Sequence, residues 1–194
     1  MPKLICFIYT QTNGLHNSNE FVTKKNMFQF ARPVSLHYII GYRQGDEFTE
    51  TKKGKFIFKP DCLTISKESF KIHKISLDKA EKDGIPPGDI MATLKKDLKN
   101  VSVIVSHNLP FHIKTLQVEC FRTCVSIDFG NHILIDTINF NHTLEYPKLL
   151  DLAKHVLDKD YSDKKSSYNL MLIKKCFMKL YNSYEKSILS SVAK

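Results

Sequence analysis

Residues 5–15 read ICFIYTQTNGL. The apolar run ICFIY has the composition of a buried strand. It stops at YTQTNG, a short polar segment of the kind that ends a strand beside a pocket. Working outward, KLICFIY (3–9) makes the first strand, and the polar, Asn-rich stretch from Thr10 to Phe30 makes a long loop at the pocket rim. RPVSLHYIIGYR (32–43) is a second strand, the segment around GDEFTETKKG a turn, and KFIFKP (55–60) a third strand closed by Pro60. A βββ meander therefore fills the first 60 residues.

After the meander the pattern changes. Residues 65–87 carry short helical turns broken by Gly84, Pro86 and Pro87, and Asp89 caps a helix through IMATLKKDLKN. VSVIV (101–105) is nearly all apolar, the mark of a central strand covered on both faces. Residues 106–122 turn helical, with Ile113, Leu116 and Cys120 on one face, and HILIDT (132–137) is a fifth strand. Over 145–157, Leu149, Leu152, Ala153, Val156 and Leu157 fall at helical spacing; Asn169, Leu172, Ile173, Cys176, Phe177 and Leu180 repeat it in a last helix. Strands first in a meander and then alternating with helices predict an α/β fold with a mixed five-stranded sheet flanked by helices. The expected organisation is one domain over 1–184 and a C-terminal tail over 185–194.

Bulk numbers narrow the function classes. At 194 residues the chain can build its own core without metal or disulfide staples. No run of 18 apolar residues exists, and the start lacks a small-residue cleavage site, so no transmembrane span, secretory signal or membrane role is expected. Five scattered cysteines argue for reduced thiols and an intracellular address, cytoplasmic or nuclear. Cys120 and Cys124, four apart, lack the second pair that a zinc site needs. The net charge of +9 favours attraction to a polyanion, DNA or RNA, over a lysine-rich surface.

The order of these elements, with the motifs inside them, resembles the DnaQ-like (DEDD, ribonuclease H-like) 3′–5′ exonucleases over roughly residues 3–181. That family opens with a strand ending Asp-x-Glu-Thr-x-Gly-Leu; the matching residues are Tyr9, Thr10, Gln11, Thr12, Asn13, Gly14 and Leu15. SHNLPF (106–111) is similar to its Ala-His-Asn-x-x-Phe-Asp motif, keeping His107, Asn108 and Phe111, with His112 where the Asp stands. SKESFKIHKIS (66–76) and IDT (135–137) also look like family segments, and the last-helix His and Asp positions fall on Lys164 and Asn169. The resemblance implies the family's fold, with every principal catalytic acid replaced.

Those replacements matter because two-metal phosphodiester hydrolysis clamps cations about 3.5–4 Å apart between anionic oxygens. Magnesium prefers hard, mostly charged ligands. Gln11 and Asn169 offer neutral carbonyls, Tyr9 a phenol, His112 a soft nitrogen, and Lys164 an ammonium in place of a base. No catalytic residue and no cofactor is therefore expected. Mg²⁺ or Mn²⁺ enters only in an enzyme with relocated ligands, for which Glu20, Asp46, Glu47, Asp61, Glu119 and Asp136 are the available acids; a His107/His112 zinc site is weaker still. Asp136 is expected to hydrogen-bond a loop, and His107 and Asn108 to serve structure.

The candidate nucleic-acid-binding residues are Tyr9, Gln11, Asn13, His107, Asn108 and His112, with a basic–aromatic cluster of Tyr161, Lys164, Lys165 and Tyr168. The expected role is a pseudo-exonuclease that binds nucleic acid or scaffolds a protein partner in a replication, transcription or assembly complex. The alternatives are an active exonuclease and a purely structural interaction protein.

Overall fold

The computed structural model describes residues 2–61, 64–161 and 166–192, without the side chains of 166, 167 and 186–192. The five strands are β1 (Leu4–Thr12), β2 (Pro33–Gln44), β3 (Glu47–Ile57), β4 (Val101–Ser106) and β5 (Ile133–Asp136). They form one mixed sheet in the order β3-β2-β1-β4-β5. β1 runs antiparallel to β2 and parallel to β4, and β4 runs parallel to β5. The expected α/β architecture is the observed one.

β1 shows why the sheet sits where it does. Successive side chains of a strand face opposite ways, and ICFIY is apolar on both faces. Cys6 and Ile8 enter one core with Ile104 of β4 and with α3 (Pro87–Leu98) and α4 (Leu109–Thr123). Ile5 and Phe7 enter a second core with Val103, Val105 and α6 (Ser166–Val192). β4 is covered on both faces, as its composition predicts. α5 (Leu149–Leu157) packs its apolar stripe on α6, where Leu152, Ala153, Leu172 and Cys176 are fully buried.

Several boundaries differ from the sequence reading, each for a physical reason. β1 continues through Thr10, Gln11 and Thr12, because Gln11 accepts a hydrogen bond from the Ser35 hydroxyl (2.8 Å) and Thr12 donates to the Gly14 carbonyl (2.7 Å). The segment read as a turn at GDEFTETKKG is mostly β3; the reversal is confined to the residues around Gly45, whose φ is +59°. Its polar sequence disguised it. An edge strand carries charge, here Lys52, Lys53 and Lys55, where further strand pairing must be discouraged. Gly54 is required there, since a Cβ would come within 2.2 Å of the Tyr38 ring. α5 starts at Leu149 instead of 145, two residues after Pro147, and the α6 backbone continues past 185, where a tail was expected, to Val192. Among the described residues no helix is long and apolar enough to cross a membrane.

The long loop after β1 is pinned down by polar contacts. His16 accepts the Ala31 N–H at Nδ1 (3.0 Å), so its Nε2 carries the proton and donates to the Phe111 carbonyl (3.1 Å). Its ring stacks on Phe111 at 4.3 Å. Lys114 reaches the Asn19 carbonyl (2.7 Å). At the loop's end Arg32 donates to Glu119 (2.7 Å), a carboxylate only 1% exposed, and to the Asp61 carbonyl (2.7 Å). Removing one partner of such a pair leaves the other charge buried and unpaired. Glu119→Ala should therefore lower unfolding free energy by roughly 3–5 kcal/mol in urea titrations; a loss below about 1 kcal/mol would show the pair to be a dispensable surface contact.

Candidate functional site

The parallel neighbour of β1 runs out before β1 does. Pairing with β4 ends at Phe7 opposite Val105, and β4 then turns toward α4. The uncovered edge of β1 is met by side chains. The Ser106 hydroxyl donates to the Ile8 carbonyl (2.6 Å), and the Thr10 backbone N–H donates to His112 Nδ1 (3.1 Å). At this carboxyl-terminal end of the parallel strands, where α/β sheets commonly hold ligands, a groove of about 770 Å³ opens.

Its floor brings together Tyr9, Gln11, His107, Asn108, His112 and Asn169, six positions selected from sequence. Asn169 of α6 donates its amide to the Tyr9 hydroxyl (3.0 Å), and the Tyr9 ring lies 4.9 Å from the His112 ring. Burial raises the Tyr9 phenol above its ordinary pKa, opposed by the Asn169 hydrogen bond. Because His112 Nδ1 accepts a backbone N–H, and lies 2.8 Å from the Thr10 hydroxyl, its proton resides on Nε2. Burial pushes this imidazole down to about 3. It is a neutral ring at any ordinary pH.

His107 donates from Nε2 to the Pro147 carbonyl (3.0 Å) and meets the Thr137 hydroxyl at Nδ1 (2.9 Å); burial lowers its pKa. It fastens the loop before α5, the structural part expected of it. Asn108 adopts the left-handed conformation (φ 61°) at the start of α4. Asp136 accepts from the backbone N–H groups of Asn108 (2.8 Å), Leu109 (2.9 Å) and Ile138 (3.0 Å). That carboxylate caps α4, as anticipated for a loop-bonding Asp.

Other candidates lie elsewhere. Asn13 is outside the groove lining, and its side chain holds Arg32 N–H (2.8 Å) and the Thr64 carbonyl (3.0 Å). Tyr161 and Tyr168 pack against each other at 6.0 Å in the α5–α6 cluster, not in the groove. Lys164 and Lys165 lie outside the described residues.

Two groups of lining residues escaped the sequence reading. Ser69, Ile72 and His73 come from α1 (Lys67–His73), and Lys148, Leu149 and Leu150 from the start of α5. The signal was available: 69, 72 and 73 share one helical face. Of the polar loop after β1, Gly14 and Leu15 line the groove, with Leu15 80% exposed.

A divalent cation does not fit this donor set. Among the described residues no carboxylate lines the groove, and no group of three His, Cys, Asp or Glu could hold a metal. The Gln11 carbonyl already accepts from Ser35, His112 Nδ1 from Thr10, and the Tyr9 oxygen from Asn169. Of the acids considered as substitutes, none is in the groove lining; Glu119 pairs with Arg32, Asp61 with Arg122, and Glu20 with Asn26.

Neither a protein-family model nor a curated protein sequence matches the chain. Solved structures do. E. coli exonuclease I in complex with a dT13 oligonucleotide matches with a TM-score of 0.71 and 13% identity, covering 97% of this chain and 43% of that one. Exonuclease I in complex with the inhibitor BCBP gives 0.70 and 14%, over 98% and 43%. A moderately thermophilic exonuclease I from Methylocaldum szegediense gives 0.68 and 11%, over 91% and 40%. The fold is therefore the ribonuclease H-like exonuclease fold, and the chain spans less than half the length of these exonuclease I chains.

The buried imidazoles set a pH dependence. A ring whose pKa folding lowers is protonated first in the unfolded chain, so its contribution is complete above about pH 6.5 and declines as pH falls, by about 1.4 kcal/mol per unit. For His112 the decline extends to about pH 3, and for His37, pushed down by burial, to about pH 4. Between about pH 7 and about pH 5, His112→Gln should lose about 2 kcal/mol less unfolding free energy than the parent chain. An identical pH slope in the two proteins would contradict the neutral, buried assignment.

Proposed function

We propose that this exonuclease-like domain is a non-catalytic module that binds single-stranded nucleic acid in the β1–α4 groove without a metal ion. The observation that carries this reading is the groove floor itself. Tyr9, Gln11, His112 and Asn169 are hydrogen-bonded to partners within the protein, and among the described residues that line the groove none carries a carboxylate to hold a cation or activate a water.

Binding has different requirements, and the groove supports them. Leu15 and Ile72, 80% and 60% exposed, border it with Phe111 and offer apolar surface to unstacked bases. Lys148 adds positive charge at the rim, and the whole chain carries +9. Phosphate contacts of this kind give affinity that falls steeply with salt. The similar fold of E. coli exonuclease I was solved with a dT13 oligonucleotide, and the same ligand class suits this groove.

The test is a 3′-end degradation assay on labelled single- and double-stranded DNA and RNA, with Mg²⁺, Mn²⁺ or EDTA, read together with retention at low and high salt. The expected result is no shortening, with salt-sensitive retention of single strands that is equal in EDTA and in metal. A Leu15→Ser/Ile72→Ser variant should weaken retention by about tenfold, since apolar surface buried against a base contributes roughly 25 cal/mol per Å². Metal-dependent shortening that copurifies with the chain and changes in Asn169→Ala would establish an enzyme with rebuilt ligands. Absence of both shortening and retention would replace the reading with a protein scaffold.

A further inference from the structure

The opposite pole of the sheet carries a second, larger-charged groove of about 690 Å³ between α3 and the segment 124–132. Lys95, Lys96 and Lys99, all exposed, stand along it at i, i+1 and i+4 of the α3 end. None of the three forms an ion pair among the described residues. Three like charges on one groove rim attract an anionic ligand. The single carboxylate in the lining, Asp128, is turned to its own loop and accepts the Gly130 N–H (3.0 Å).

Val125 and Ile127, half-buried, supply aliphatic surface beside these cations, over the buried Leu98. Across the shared ridge Cys124–Ile127 lies a smaller hollow of about 360 Å³ with Val22, Phe121 and another cation, Lys24. Cationic rims over an aliphatic bed therefore continue from one hollow into the next. Apart from the His132 imidazole, which bonds the Val101 carbonyl (2.9 Å), no aromatic ring lines the groove of about 690 Å³, so nucleobases would find no Phe, Tyr or Trp platform there.

The geometry points to a docking site for an extended acidic segment of a partner protein, with aliphatic side chains against Val125 and Ile127 and carboxylates facing Lys95, Lys96 and Lys99. β4 separates the two grooves. The carbonyl of its first residue, Val101, accepts a hydrogen bond from His132 Nδ1 of this site (2.9 Å), and its six residues span about 20 Å before the first groove begins. A peptide here leaves the other groove open, so partner docking and nucleic-acid binding are compatible in one molecule.

Fluorescence anisotropy of the full chain with a labelled peptide alternating aspartate and leucine tests the assignment. Binding should weaken by about tenfold in Lys95→Glu/Lys99→Glu, and also on raising salt from about 50 to about 300 mM. Replacing leucine by serine in the peptide should weaken it comparably, while Leu15→Ser/Ile72→Ser leaves it unchanged. Both lysines are exposed, and an unchanged circular-dichroism spectrum checks that the variant folds. No binding, full binding by the lysine variant, or equal binding of the serine peptide would overturn the proposal. Loss of oligonucleotide retention in the lysine variant, with peptide binding unaffected, would reassign the groove to nucleic acid.

Discussion

The hydrogen bond from the Thr10 backbone to His112 joins the overhanging end of the central strand to α4. Past Phe7, β1 has lost its parallel neighbour, and an unpaired backbone donor in the interior is costly. The imidazole replaces the missing strand. Accepting at Nδ1 requires a neutral ring, and burial keeps it neutral. The same contact places His112 beside Tyr9, which in turn holds Asn169 of α6. One acceptor thus closes the groove floor from both sides of the sheet.

This arrangement shows how a groove in a fold similar to that of exonuclease I can stand with no carboxylate among its described lining residues. Clustered carboxylates repel until cations neutralise them, so an acidic floor depends on its metals. Here the floor is self-sufficient. A phenol, two amides and an imidazole satisfy one another and their neighbours, and the strand end is held by hydrogen bonds instead of by ions. Asp136, the one acid at this end of the sheet that the sequence singled out, is committed to three backbone donors around the start of α4.

Much of this was legible in sequence because it follows from periodicity and from unusual residues in a recognisable frame. ICFIY and VSVIV are apolar on both faces, and both strands are buried between helical layers. Tyr9, Gln11, His112 and Asn169, grouped in sequence by the resemblance together with Lys164, line one groove, and Lys164 lies outside the described residues. β3 was legible only in part, since an exposed edge strand is polar and looks like a turn. The α1 wall was missed because Ser69, Ile72 and His73 are ordinary helix residues whose importance comes from where the chain folds back. Tyr161 and Tyr168, grouped in sequence with Lys164 and Lys165, pack their rings against each other between α5 and α6, away from the groove.

The central claim is that the groove holds no cation of its own. Titrating Mn²⁺ into the protein while following its paramagnetic effect on water-proton relaxation tests this directly, with and without a bound oligonucleotide. The account predicts only weak, non-saturating association in both series. Saturable binding of one or two ions that is lost in Asn169→Ala or His112→Gln would contradict it and return the groove to metal chemistry.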